Sequence, residues 1–205
     1  TSPNHKLDFL RSHQGVVAWE KKFSAEWRIR AEAYFQWQTN VPVRRHDDGF
    51  SLLNFGSNFD LWDFSGLEST GTGKNYGLEL TLTKVYKDGF YAMFTASLFE
   101  SKYRGSDGIW RNTAFNSRYI ANALLGKEFP LKNHWTFVTD TKISLAGGRW
   151  HTPFDLEQSI ATGAEIYDET RPFATQYPAF FRWDAKIGLR YDARRQRLTH
   201  HLLLD

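Results

Sequence analysis

The sequence contains no cysteine. That absence excludes a disulfide framework, a thiol nucleophile and any Cys-ligated zinc or iron–sulfur centre. It has one methionine and no apolar run approaching twenty residues, and its mean hydropathy is −0.54. No helix in it is therefore expected to span a bilayer. Neither sign of charge dominates, since 26 Lys and Arg against 23 Asp and Glu leave a formal net charge of +3. The isoelectric point is about 9.0, but there is no basic footprint of the kind that tracks nucleic acid, and no nucleic-acid partner is expected. Thr1-Ser2-Pro3-Asn4-His5-Lys6 lacks the basic-then-apolar order of a signal peptide. At the other end, Leu202-Leu203-Leu204-Asp205 stops within a strand-like stretch. Both ends read as cuts through a longer protein.

Aromatic residues are plentiful at 17%, with Phe 17, Tyr 9 and Trp 8, too many for a disordered chain. A length of 205 residues allows one domain. The main ordering signal is period two, the mark of strands. From Trp27 to Trp37 one face carries Trp27, Ile29, Ala31, Ala33, Phe35 and Trp37, and the other carries Arg28, Arg30, Glu32, Tyr34 and Gln36. Tyr76–Lys84, Phe90–Leu98, Trp135–Leu145 and Phe181–Tyr191 alternate in the same way. Gly15–Lys22, Arg118–Phe129 and Leu198–Asp205 alternate more weakly, for eight expected strands. All six prolines fall outside these segments or at their ends, where no ladder donor is needed.

The connections alternate in length. Short turns are expected near Phe23–Ala25, Tyr86–Gly89, Pro130–Asn133 and Asp192–Arg197, and long connections near Thr39–Asn75, Lys102–Ser117 and Gly147–Ala179. Asp88-Gly89 suits a tight hairpin, because glycine accepts positive φ freely. Short turns at one end and long loops at the other are the plan of an up-and-down outer-membrane barrel. Alternation alone does not separate it from a soluble sheet. Strands beyond ten residues, and Trp19, Trp27, Trp37, Trp135 and Tyr191 at strand ends, favour the membrane plan. One helix is expected in the last long loop, capped by Thr152 with Pro153 in its first turn and Leu156 and Ile160 on one face.

No motif carries catalytic chemistry. Gly71-Thr72-Gly73-Lys74-Asn75-Tyr76-Gly77 lacks the glycine spacing of a phosphate loop and leads into a strand. The seven histidines have no zinc spacing, and His200 and His201 would face opposite sides of a strand. No serine occupies a G-x-S-x-G elbow. Asp47-Asp48 and Asp60–Asp63 offer calcium-type oxygens without a defined ligand spacing. Arg182, Asp184, Lys186 and Arg190 either line a solute path or, the commoner case, form a charge ladder with neighbouring strands. The Gly-, Arg- and Trp-rich stretch Lys102–Asn116 either makes a polar–aromatic binding surface or staples a long hairpin shut.

Asn75-Tyr76-Gly77-Leu78-Glu79-Leu80-Thr81-Leu82, Ser97–Tyr103 with Gly105-Ser106-Asp107-Gly108, Trp110–Asn116 and Gly126-Lys127-Glu128-Phe129 together resemble the C-terminal barrel of TonB-dependent outer-membrane receptors. The type is that of Bacteroidetes-like bacteria, in the group with a carboxypeptidase-regulatory-like domain. Thr152–Leu156 and Thr199–Asp205 resemble it too. The resemblance implies an all-β antiparallel up-and-down transmembrane barrel of about 22 strands, plugged by an N-terminal domain. Residues 1–205 would be about eight of those strands, with the plug and the last strands absent. It further implies a non-enzymatic receptor in the bacterial outer membrane. Such a receptor takes up a scarce nutrient (an iron chelate, cobalamin or a glycan) and is energised by the TonB complex through the plug.

On that reading the partners are outer-membrane lipid, the TonB complex, a small nutrient or glycan ligand and, as a further option, a surface lipoprotein. No cofactor, metal or catalytic residue is expected. Trp62, Trp110, Arg111 and Trp150 are the candidate ligand contacts, all placed in long loops. Two rivals stand beside it: a small stand-alone outer-membrane barrel enzyme acting on lipid, and a soluble carbohydrate-binding β-sandwich.

Overall fold

The computed structural model describes residues 4–45, 49–57, 64–193 and 198–204. The long strands are β1 (Arg11–Lys22), β2 (Trp27–Arg44), β3 (Leu67–Lys87), β4 (Phe90–Arg104), β6 (Tyr119–Pro130), β7 (Trp135–Ala146) and β10 (Phe180–Asp192), followed by the shorter β11 (Thr199–Leu204). Three short strands lie in the long connections: β5 (Trp110–Asn112), β8 (Trp150–His151) and β9 (Thr175–Gln176). β5 makes the main sheet nine-stranded rather than eight. All pairings are antiparallel, in the order β1-β2-β3-β4-β6-β7-β10-β11, with β5 on β4. Each long strand neighbours the next, as in a meander, and the sheet is open, ending on β1 and β11.

Turn chemistry fixes the hairpins. Asp88 and Gly89 both take positive φ, 51° and 71°, and join Lys87 to Phe90 in a two-residue turn. Asn133 and His134 do the same work between β6 and β7 at φ 59° and 66°. The expected turns near Phe23–Ala25, Tyr86–Gly89 and Pro130–Asn133 appear, whereas most of the one expected near Asp192–Arg197 lies outside the described residues. The first two long connections are shorter than expected because β2, β3 and β4 run further, and the third spans residues 147–179 as expected. Pro42 then lies inside β2 rather than outside it. It sits where the β2–β3 register shifts between Val41 and Val43, so its missing N–H costs no regular ladder bond. The helix also differs from expectation. It is α1 (Leu156–Thr162), capped by Asp155, whose Oδ1 accepts from Gln158 N at 3.0 Å. Thr152 and Pro153 lie outside it.

Register puts the apolar residues of neighbouring strands side by side. Ile29 pairs with Leu82, Leu82 with Phe94, Phe94 with Ala123, Ala123 with Ile143 and Ile143 with Trp183. The next row in one direction is Trp19, Ala31, Leu80, Ala96, Ala121, Leu145 and Phe181. Trp19 is therefore in the middle of the apolar face, not at its edge, because β1 begins as early as Arg11. Aromatic residues do flank the face at both ends. Phe35, Trp37 and Tyr76 lie toward the long connections, and Phe129, Phe137, Trp135 and Tyr191 toward the short turns. Rings there touch: Trp135 and Tyr191 are 4.9 Å apart, Phe129 and Phe137 6.1 Å.

The opposite face is polar. Tyr91 Oη donates to Asp140 Oδ1 at 2.6 Å, and Lys186 Nζ lies 2.6 Å from Asp140 Oδ2. Arg190 makes two hydrogen bonds to Glu128, of 2.9 and 3.0 Å, and Arg182 lies 2.7 Å from Asp184. The charge ladder read from the sequence is thus present. Glycines make room for the long side chains on this face. A methyl group at Gly126 would lie 2.2 Å from the Tyr91 ring, and one at Gly77 would lie 2.9 Å from Tyr34 Oη. Each tyrosine covers a glycine on the adjacent strand.

Among the described residues the buried hydrophobic ones are Val41, Val43, Leu67, Tyr103 and Ala114, and all lie at the long-connection end. In the strand band the apolar side chains stay open: Leu78 and Leu98, opposite each other, are 60% and 61% exposed.

Candidate functional site

At the long-connection end three loops interlock. The first, residues 45–66, contains a 3-10 turn at Leu52–Asn54. Asn54 is buried, and its Oδ1 accepts from Ala114 N at 2.9 Å in the second loop. Ala114 O accepts from Trp150 N at 3.2 Å in the third. Arg149 of that third loop reaches back to Ser57 O at 2.7 Å. Tyr103, fully buried, donates from its hydroxyl to Gly49 O at 2.7 Å and meets Phe173 edge-on at 6.0 Å between ring centroids. Asn116 satisfies its whole amide. Its Oδ1 accepts from Ser101 N, and its Nδ2 donates to Asn112 Oδ1 at 2.9 Å and to Glu100 Oε2 at 3.1 Å.

Glycine permits the closeness. Methyl groups at Gly147 and Gly148 would lie 1.8 Å from Ser117 O and 1.7 Å from Tyr177 O, so backbone meets backbone directly, between the second and third loops at Ser117 and within the third at Tyr177. Gly71 and Gly73, in the segment that lacks phosphate-loop spacing, lie inside β3. There they leave space for Val43 and Leu53 to pack down onto the strand.

The candidate contacts separate. Trp110 and Arg111 are neighbours in β5, so they face opposite sides of the sheet. Trp110 joins the apolar-face aromatics. Its ring lies 5.8 Å from Trp37, with Lys74 Nζ 4.3 Å and the Arg104 guanidinium 5.5 Å from its centroid. Arg111 turns to the polar side opposite Tyr103 and forms a two-pronged pair with Asp107, at 2.9 and 2.5 Å. Burial pushes the Asp107 carboxyl up. The Arg111 guanidinium and the Ile109 N–H outweigh it and hold the group below the usual carboxylate range. Trp150 donates from Nε1 to Asn116 O at 2.8 Å, with the Arg118 guanidinium 5.0 Å over its ring. Each of the three thus packs on neighbours, and for Trp110 and Arg111 these contacts are of the stapling kind weighed for Lys102–Asn116. Trp62 lies outside the described residues, as do Asp47, Asp48 and Asp60–Asp63.

Ligand-accessible rings are found elsewhere at this end. Phe55, Phe115, Phe154 and Tyr177 are exposed. Phe154 stacks on Tyr167 at 4.8 Å and Tyr177 on His151 at 4.1 Å. The sequence signal for them is faint, because isolated aromatics in irregular loops have no period to mark which ones emerge. Exposed rings held on a cross-tied base can stack on flat or sugar-like ligands. Among the described residues no group of three or more His, Cys, Asp and Glu is placed to hold a metal ion. No family model matches the chain, and no curated protein and no solved structure matches it either.

Proposed function

We propose that this chain is a segment of an outer-membrane β-barrel receptor that takes up a scarce nutrient, an iron chelate, cobalamin or a glycan, energised through TonB. One observation carries the membrane part. A sheet of long strands presents a register-matched apolar face that nothing in the described chain covers. In water, a monomer seldom leaves more than a few hundred Å² of contiguous apolar surface open. In lipid such a face is the required one, with the polar face turned to the lumen. A soluble sandwich would need a second sheet over the same rows. The two edges at β1 and β11 fit a segment, because an edge in lipid must pair with further strands. The receptor part rests on the interlocked loop end with exposed rings, together with the sequence resemblance. The long loops then face outward and the short turns face the periplasm.

The intact protein is expected to need detergent and to migrate faster on gels unheated than boiled. Solubility without detergent sinks the membrane reading. Cells lacking the protein are expected to lose growth on one of the three nutrient classes when it is limiting, as are cells lacking TonB. If growth persists on all three, the receptor role falls while the barrel stands.

A further inference from the structure

The apolar face ends, toward the long loops, in a band of cations. Register places Lys74 on β3 beside Lys102 on β4, both in the row of Trp37. Arg104 follows one row further out, opposite Trp110. Arg118 approaches the same strip, with Nε 3.7 Å from Glu100 Oε1, and Lys102 Nζ is 3.3 Å from Glu100 Oε2. Glu100 thus serves two cations, while Lys74 and Arg104 rest on the Trp110 ring with no carboxylate partner among the described residues. Among the described residues, four cations against one carboxylate leave the strip positive.

Beneath it opens a cleft of about 530 Å³. Ala33, Leu78 and Leu98 give it an apolar floor, and Tyr76, Glu100 and Arg118 a polar upper rim. The cleft is therefore amphipathic along the strand direction, apolar toward mid-sheet and cationic toward the loops. An ordinary snorkelling cation needs only to reach the interface. Here four come from three adjacent segments and two are held by one ring; Arg118 lines the groove itself, and Lys74 and Lys102 lie one row beyond its rim residues Tyr76 and Glu100.

We propose that this groove and its cationic rim bind a phosphorylated lipid of the leaflet that meets the long loops, the phosphate against Lys74, Lys102, Arg104 and Arg118 and an acyl chain along Leu78 and Leu98. Charge complementarity selects the occupant, since a juxtamembrane cation cluster beside apolar surface recognises anionic headgroups. The inference rests on the membrane reading above.

The test uses the intact protein in neutral detergent, with bound phosphatidic acid counted by native mass spectrometry. Phosphatidic acid is expected to bind about tenfold or more tighter than diacylglycerol with the same chains. The Lys74→Gln/Lys102→Gln/Arg118→Gln variant is expected to lose about a hundredfold in affinity. An Arg28→Gln/Lys142→Gln/Arg182→Gln variant, with equal charge removed from the polar face, is expected to bind as the parent does. Glu100→Gln changes the strip in the opposite sense and is expected to tighten binding several-fold, so the proposal survives a misfolded triple variant. Unchanged affinity in the triple variant, or displacement of the lipid by inorganic phosphate at equal concentration, overturns it. Flotation with neutral phosphatidylcholine vesicles separates the two readings. A parent protein that does not float sinks both, and one that floats without preferring the phosphorylated lipid sinks only this one.

Discussion

At the loop end the molecule has an interior of its own, and in the band of strands it has none. Val41, Val43, Leu67, Tyr103 and Ala114 are enclosed by their own chain. Leu78, Leu98 and Trp183, on equally regular strands, are 60–67% exposed. The same kinds of side chain are thus satisfied in two ways. In the first region loops supply the missing layer, tied by hydrogen bonds such as Tyr103 to Gly49. In the second the strands supply order, and among the described residues no second layer covers the apolar side chains. The loop end should therefore respond to internal cavities, and the band to what each face meets.

The largest expected effect is at Tyr103. Replacing it with Ala removes a fully buried ring, its bond to Gly49 and its contact with Phe173. The loss should be about 3–5 kcal/mol. Limited proteolysis should then cut within residues 105–118 and 147–179 while the long strands stay resistant. Equal resistance of parent and variant would show that the loop core is not the organising element. Next comes Leu80→Arg on the apolar face, compared with Thr81→Arg on the polar one. Refolding into bilayers should cost the first about 2–4 kcal/mol and the second little. Matching costs would break the assignment of faces.

Gly126→Ala should be smaller, about 1–3 kcal/mol, because its methyl would enter the space of the Tyr91 ring. Combined with Tyr91→Ala the two losses should not add, and a double-mutant cycle of urea unfolding reads the coupling. Simple additivity would mean that the ring and the glycine do not fit each other as described.

The smallest effect is one of pH. The Asp107 carboxyl titrates below its ordinary value in the folded loop. Its contribution is therefore complete above the unfolded value of about 3.9 and is lost as pH falls through the lower folded one. Trp fluorescence followed down through that range should show the loop end of the parent loosening, with a weaker response in Asp107→Asn. Identical profiles would remove Asp107–Arg111 from the forces holding the loop.

Much of this fold was legible because alternation is a local signal. Strands β4, β6, β7 and β10 start or stop within a few residues of where the period does, and the Asp88-Gly89 hairpin follows from glycine's tolerance of positive φ. What was illegible depends on distant contacts. β2 continues through Asn40, at φ 57°, and Pro42 only because β3 pairs with it across two irregularities. Local chemistry alone would stop it at Trp37. The cap of α1 moved from Thr152 to Asp155 because Thr152 is engaged elsewhere, accepting from Phe173 N at 3.3 Å. Among the candidate contacts, residue type attracted attention to Trp110, Arg111 and Trp150, but the partners of the two tryptophans, Trp37 and Asn116, lie 73 and 34 positions away, and only the Arg111–Asp107 pair is local. The cationic strip was equally hidden, since Lys74, Lys102 and Arg118 are scattered in the sequence and only register assembles them.

Gly147 and Gly148 bear on how such a surface can change over generations. Where backbone meets backbone at Ser117 and Tyr177, no side chain stands between to absorb a shift. Lengthening the second or third loop at its root displaces the other, so those two are constrained to change together. Variation is left to the tips, at residues such as Phe115, Phe154 and Tyr167, where new ligands can be tried without rebuilding the base.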